Sequence, residues 1–496
     1  VVDFATIPAA GSLRTPFLFL EMDNSRAGSP GTGDRPILMI GGRTSAGSVA
    51  AGVLKRVASD RAASGYWGEG SILHHMMRGI RAANQNAEVW GVAVDDAVAG
   101  VAATQTITVA GAATAAGTVA LYIAGTRIPV AVASGDAANA IATAIDAAIT
   151  ATAGLPVTSA AVPPVVTCTA KNKGLTGNQI DIRTNYLDTD EDVPGVTVTV
   201  AAGVAGATNP DISGIAALLG DEEFDFIVHP YLDSTSLDEI EELLNFTAGR
   251  WAWNRMVYGH AFCAYCDTPG NLTTLGNAEN DPNNTIVGLE ALPTLPWEVA
   301  GTIVGRIYRS LSDSPARPLQ TLELPGVLPA AKTVRWTQAQ RNVLLFDGIS
   351  TLTTDSAGKV RIERLISTYQ LDAQGVADDS YLDVCTMYTS AEFDRRIDAR
   401  IRSDWPRHSL ANDDTPIGPG QAVTTPRLLK GSIVSEYGLM EKEGLVENAE
   451  LFERAITIVR PPGDPNRIDI EVNPDYVNQL RIVAIKNAFL LQYLAD

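Results

Sequence analysis

A chain of 496 residues with a formal charge of −20 is longer than one hydrophobic core, which stops growing near ~250–300 residues, and it repels nucleic-acid phosphates and anionic lipid heads. A hydrophobic fraction of 46 %, no run of the ~18 apolar residues a membrane span requires and only four scattered cysteines exclude membrane insertion and a disulfide scaffold. What remains is a multidomain globular chain with reduced thiols. Its opening residues, VVDFATIPAAG, lack a basic n-region and a continuous apolar h-region, so synthesis and folding in the cytoplasm are expected.

The first element is an apolar run, Pro16 to Met22, too short for a helix or a membrane span. It reads as a strand in need of a partner, and Asn24 to Asp34 follows as a Gly/Ser/Pro loop. Arg35 to Gly42 is a buried strand, and Gly41 to Gly47 reads as a plain strand-to-helix turn, because it has neither GxGxxG spacing nor a GK[ST] ending. Ser71 to Ala83 has helical spacing and Glu88 to Val94 is the next strand, giving an α/β core. Between Ala97 and Ala207 the composition shifts to Ala, Thr, Val and Gly, with no Phe or Trp. That segment reads as an inserted α+β module with a thin core: strands at Gln105–Val109, Thr118–Ile123, Arg127–Val132, Val165–Ala170, Gln179–Asn185 and Val196–Val200, and a helix after Ser134 with Ile141, Ile145 and Ile149 on one face.

The α/β pattern resumes at Glu223 to His229, followed by a helix whose start is predicted from the capping box Ser236 to Glu239. A strand at Met256 to Ala264 and a helix at Trp297 to Leu311 complete it. Past Thr337 a short helix and a hairpin (Thr351–Thr354, Lys359–Ile366) are expected to open a different domain. Helices at Ser380–Arg402 and Ala422–Lys442, the latter interrupted near Gly431, then lead to Leu451–Val459, a Pro-Pro-Gly turn and closing strands at Arg467–Val472 and Gln479–Leu494. That last run is again apolar and strand-like. An exposed apolar strand pairs within its own subunit or lends its backbone to another chain, so two such ends suggest a polymer.

No catalytic constellation emerges. His260, Cys263 and Cys266 form H-x₂-C-x₂-C without a fourth ligand, on a segment that reads as a strand, where alternation separates them. There is no G-x-S-x-G elbow, and His74, His75, His229 and His408 read as structural. The acidic run Asp188, Asp190, Glu191, Asp192 lacks calcium-loop spacing. Charge is uneven: residues 82–300 hold about 25 acidic and six basic side chains, residues 14–81 about nine basic and five acidic. Ordinary solvated surface explains this, as would complementary faces on neighbouring subunits.

The ordered segments TPFLFLEMDNSRAG, RPILMIGG, the Ala/Thr-rich insertion, AKNKGLTGNQIDI, LPWEVAGTIVGRIYRSLSDSPARPLQTLELPGV and NPDYVNQLRIVAIKNAFLL together resemble contractile tail sheath proteins of Mu-like bacteriophages. The resemblance implies a virion protein, assembled in the host cytoplasm, that polymerises as stacked hexameric rings around a tail tube protein, meets baseplate and tail terminator proteins, and contracts to drive the tube through the host envelope. It implies a subtilisin-like α/β core without its active site, no cofactor, no direct nucleic-acid contact and no membrane insertion. The implied division is an N-terminal arm at 1–24, a discontinuous core at 25–96 and 208–336, the insertion at 97–207, a C-terminal domain at 337–475 and a C-terminal β arm at 476–496. The implied interface residues are Phe17, Leu18, Phe19, Leu20 and Glu21 in one arm and Leu480, Ile482, Val483, Ala484 and Ile485 in the other. A degenerate subtilisin-like hydrolase needs a nucleophile and base that the sequence does not supply, and a monomeric surface adhesin leaves the apolar ends unexplained.

Overall fold

The computed structural model describes residues 35–491. The chain enters a central sheet at β1 (Ile37–Gly42), turns back through β2 (Leu54–Val57), and crosses by α1 (Asp60–Trp67) and α2 (Ile72–Ala83) to β3 (Val89–Val94). The Gly41–Gly47 turn therefore leads to a strand, not a helix. A Cβ at Gly47 would fall 2.6 Å from the Tyr66 carbonyl oxygen, so the loop is pressed onto the end of α1 and leaves no cradle for a phosphate.

The Ala/Thr-rich segment forms a lobe of two small sheets and one helix. β4 (Thr104–Gly111), β5 (Gly117–Ile123), β6 (Thr126–Val132), α3 (Ala138–Ala151), β7 (Val157–Val162), β8 (Val165–Ala170), β9 (Ile182–Thr184) and β10 (Val196–Ala202) follow in order. They pair as β10-β4-β8-β7 and β6-β5-β9. Ile141, Ile145 and Ile149 bury one face of α3 between them. Ser134 does not cap that helix: its hydroxyl donates to the Thr114 carbonyl at 3.2 Å, and the N-cap of α3 is Ala137, which makes no side-chain cap.

The core resumes with α4 (Ile215–Leu219), β11 (Phe226–Val228), α5 (Ser234–Leu244), β12 (His260–Cys266), α6 (Pro269–Gly276), β13 (Asn284–Leu289), α7 (Pro296–Asp313), α8 (Gln338–Phe346), β14 (Ile349–Thr354) and β15 (Val360–Arg364). The N-cap of α5 is Asp233, whose carboxylate accepts from Ser236 N–H, three residues ahead of the predicted box. The sheet has eight strands in the order β15-β14-β13-β12-β11-β1-β3-β2. Every neighbour pair from β14 to β3 is parallel, and the two outermost strands are antiparallel. The β14–β15 hairpin, expected in a separate domain, thus extends the core sheet. Both sheet faces are covered, which is why β1 is apolar at successive positions: Ile37 and Met39 face α2 and α7, Leu38 and Ile40 face α4 and α5.

Beyond the sheet, α9 (Val384–Asp404), β16 (Ser409–Leu410), β17 (Val423–Thr424), α10 (Pro426–Lys442), α11 (Ala449–Ala455), β18 (Thr457–Val459) and β19 (Asp469–Glu471) build a second core around Phe393, Ile433, Tyr437 and Phe452. α10 runs unbroken through Gly431. The final apolar run forms no strand among the described residues.

Candidate assembly surface

The titratable side chains that could carry chemistry are locked in the core. His74 accepts from Gly70 N–H at 3.0 Å and sits 3.2 Å from Asp60. Burial pushes His75 down to about 4, with its ring 3.5 Å from Glu298. Glu298 is buried, which alone would raise its carboxyl, but the nearby His75 ring at 3.5 Å and the two hydrogen bonds from Arg78 (2.8 and 2.6 Å) prevail and hold it at about 2. Burial likewise lowers His229 to about 4 and His260 to about 3. His408 stacks edge-on against Trp405, 5.0 Å between centroids. On β12, Cys263 faces Leu237 and Leu272 while Cys266 joins the opposite cluster, so alternation keeps His260, Cys263 and Cys266 from converging. Burial pushes the Cys266 thiol up to about 11. Asp190 accepts from Tyr122 and Arg127, and Asp192 accepts from Asn185, so these two carboxylates are satisfied within the lobe.

The basic segment is also occupied within its own chain. Arg43 pairs with Asp95, Arg56 with Glu88 and Arg78 with Glu298, and Arg81 donates to three carbonyls at the end of α2. Arg35 bonds Glu392 and lies 3.7 Å from Asp225, which Arg395 grips with both nitrogens. These contacts tie α9 to the entry of β1 and occupy most of the arginines of this segment among the described residues, Arg14 and Arg26 lying outside them.

Of the expected interface residues, Phe17, Leu18, Phe19, Leu20 and Glu21 lie outside the described residues. The other arm is described. Tyr476 packs on Phe393, 6.2 Å between centroids, and Val477 N–H donates to Leu445. Gln320 then donates to the Leu480 carbonyl at 3.2 Å, and Arg481 donates to Asp383, the N-cap of α9, at 2.6 Å. After this clamp, no hydrogen bond joins Ile482–Leu491 to the rest of the described chain. Ile482 and Ile485 are each 85 % exposed, and Leu480, Val483 and Ala484 are exposed as well. A single chain thus presents ten apolar-rich residues with unpaired backbone, which is a strand's chemistry without a sheet.

The phage tail sheath protein central domain matches residues 205–368, and the phage tail sheath C-terminal domain matches residues 376–489. The Mu-like prophage FluMu tail sheath protein of Haemophilus influenzae is 35 % identical over 491 residues, covering 99 % of this chain and 100 % of that one. The chain belongs to the phage tail sheath protein family. Among solved structures, the sheath tail protein from Desulfitobacterium hafniense aligns with 94 % of this chain and 97 % of its own at 12 % identity and a TM-score of 0.48. The helical sheath of the anti-feeding prophage in its contracted state aligns over 96 % and 99 % at 11 % identity, also with a TM-score of 0.48.

This sheath protein carries a second apolar surface besides the arm. A groove of about 440 Å³ lies between the loop 246–258 and α9, with Phe246, Trp251, Trp253 and Met256 on one wall. Trp253 is 82 % exposed. The signal was present in the spacing Phe246, Trp251, Trp253, Tyr258, a dense aromatic run in a chain with 6 % aromatic residues, but Met256 to Ala264 was absorbed into a strand. The strand begins only at His260, because Met256 and Tyr258 adopt left-handed backbone with φ of 52° and 44°.

Proposed function

We propose that this protein is the repeating subunit of a contractile sheath. Copies stack as hexameric rings around a tail tube between baseplate and terminator, assemble in the host cytoplasm, and shorten to drive the tube through the envelope. The observation that carries this reading is the C-terminal arm: it is clamped at Arg481 and then continues as exposed, unpaired apolar chain. Exposed apolar backbone of this kind gains most by completing a sheet or groove in another subunit. Family membership supports the same reading. The N-terminal arm, Phe17 to Glu21 included, is assigned the same bridging role on its apolar sequence.

The α/β core, read as a subtilisin-like scaffold without a catalytic set, acts as the rigid part. Its parallel sheet is covered on both faces, and α9 is bolted to it through Asp225. Contraction then needs no cofactor: a lattice held metastable by the baseplate relaxes to one with more subunit contact. The test is electron microscopy of the purified full chain beside a chain lacking Leu480–Asp496. Striated hollow tubes from the first and a folded, non-assembling second chain are expected. Normal tubes from the truncation would overturn the role given to the arm.

A further inference from the structure

A cavity of about 450 Å³ opens where the lobe meets the core, lined by the carboxyl ends of two parallel strands. Pro230, Leu232 and Asp233 follow β11, Ala264, Tyr265 and Asp267 lie at the end of β12, and the 3₁₀ turn Leu175–Gln179 contributes from the lobe side. Ligands of open parallel sheets sit at this end of the strands. A volume of roughly 300–1,000 Å³ between two structural units is the usual size and place of a small-molecule site. The lobe that closes the cavity precedes both matched sheath domains, the first of which starts at residue 205.

The lobe side is fixed in place. Asn178 exchanges two hydrogen bonds with Gly206 (3.0 and 2.7 Å), and Asn209 accepts from Leu175 N–H at 2.8 Å while donating to Asp233, the N-cap of α5. Binding here therefore spends little on ordering the walls. Hydrogen-bonding capacity is left over around the cavity. Thr176 is 5 % exposed, yet its hydroxyl has no partner among the described residues. Gln179 Oε1 accepts from Cys266 N–H at 3.0 Å, which fixes the amide and leaves both Nε2 hydrogens without an acceptor among them. The Tyr265 hydroxyl is unpartnered in the same sense, as is Asp267 Oδ2, whereas Asp267 Oδ1 accepts from Thr268 N–H and Asn271.

We propose that this cavity binds a neutral sugar of one or two rings. Among the described residues no lysine, arginine or histidine lines it, while Asp233 and Asp267 do, so a phosphate or carboxylate ligand meets no counter-charge. A cation finds one free carboxylate oxygen, on Asp267, because Asp233 is taken up by Asn209 and Ser236. What the walls offer is a mixture of donors and acceptors, namely the Gln179 amide, two hydroxyls and Asp267 Oδ2, beside the apolar surfaces of Leu232, Leu275 and Trp297. A sugar has the matching surface: hydroxyls that each donate and accept, around a C–H face that packs on aromatic and aliphatic side chains. A purely apolar ligand would seal Thr176 and Gln179 away from any partner, which costs more than it gains. The site is complete within one chain, so the inference stands apart from the sheath reading.

The test is saturation-transfer NMR on the full chain with maltose, lactose, cellobiose and N,N′-diacetylchitobiose, and with tetramethylammonium and methyl phosphate as the cation and the anion. Saturation of at least one disaccharide and of neither ion is expected. Thr176→Val and Gln179→Leu should each weaken that disaccharide's affinity at least fivefold. Thr274→Trp fills the cavity from an exposed position on α6 and should abolish saturation without shifting thermal unfolding. The proposal is overturned if no disaccharide is saturated, if either ion is saturated more strongly, if binding survives Thr274→Trp, or if Thr176→Val and Gln179→Leu both bind as the parent does. None of these outcomes bears on tube formation, so failure here leaves the sheath reading intact.

Discussion

Asp281 is a carboxyl placed where a carboxylate is poorly served. It is 4 % exposed; Oδ1 accepts from Asn283 N–H at 2.8 Å, but Oδ2 has no hydrogen-bond partner, and burial pushes the group up to about 7. An unfolded aspartate ionises near ~3.9, so between about pH 4 and 7 the folded state holds a proton that the unfolded state has released. Stability contributed here is full below the unfolded value and is lost as pH rises through the folded one. Asp281→Asn keeps the Oδ1 acceptor and cannot ionise. It is expected to stabilise the protein at pH 8 by on the order of 1–2 kcal/mol and to change little at pH 4, as read from urea unfolding at the two pH values. A gain that is equal at both would exclude titration as its source. Nothing in the sequence Glu279-Asn-Asp-Pro-Asn-Asn284 announces this burial. A polar cluster after a helix reads as a solvated loop, and only the return of Thr368, which accepts from Asp281 N–H at 2.9 Å, closes it off. The histidines were more legible, because placement on an apolar helix face or at a strand end already implies a satisfied interior.

Helices α2 and α7 cross in backbone contact. A Cβ at Gly79 would fall 2.2 Å from the Glu298 carbonyl oxygen, one at Gly301 would fall 2.5 Å from that of Met76, and one at Gly305 would fall 2.7 Å from that of Ile80. Alanine raises intrinsic helix stability over glycine by ~1 kcal/mol, but overpacking a tight contact costs about 1–3 kcal/mol, so the clash prevails here. Gly301→Ala is expected to destabilise the protein by about 1–2 kcal/mol. Gly431→Ala, in α10 with no atom within 4 Å of its Cβ position, should instead gain up to ~1 kcal/mol. Chemical denaturation of the two variants side by side checks the opposite signs. The apolar rhythm of α7 was plain in Val299, Ile303, Ile307 and Leu311, and that of α3 in its three isoleucines. By contrast, α1 buries only Ala63 and Trp67, and β13 opens with Asn and Thr, so neither shows a stripe. The β14–β15 hairpin was found, yet its place in the sheet was not, since membership of a sheet is set by long-range pairing and not by local pattern.

At the scale of the molecule, core, lobe and C-terminal helices are joined by buried polar straps. Asn172 of the lobe bonds Arg43, Asp96 and the first turn of α2, and Tyr186 bonds Pro329. Such ties favour movement as one body, with change confined to the arms. If each subunit both offers an arm and receives one, a chain without its arm still occupies a receiving position. Adding subunits that lack Leu480–Asp496 to full-length protein is therefore expected to shorten tubes in proportion to the fraction added, as measured by length distributions in electron micrographs; unchanged lengths would show that receiving positions are not shared. The exposed apolar run at the C-terminal end was conspicuous in composition, although the strand expected there is absent among the described residues. The groove between loop 246–258 and α9 was not, because it is assembled from segments more than a hundred residues apart. The clamp at Arg481 adds a mechanical condition. It fixes the root of a strap whose contour, ~3.3 Å per residue, cannot grow once the strap is straight. If the arm bridges subunits as proposed, they could slide together or turn about one another but would separate only as far as the slack permits. Shortening would then be left open while stretching met a hard stop, and direction would be built into the lattice by the length of a tail.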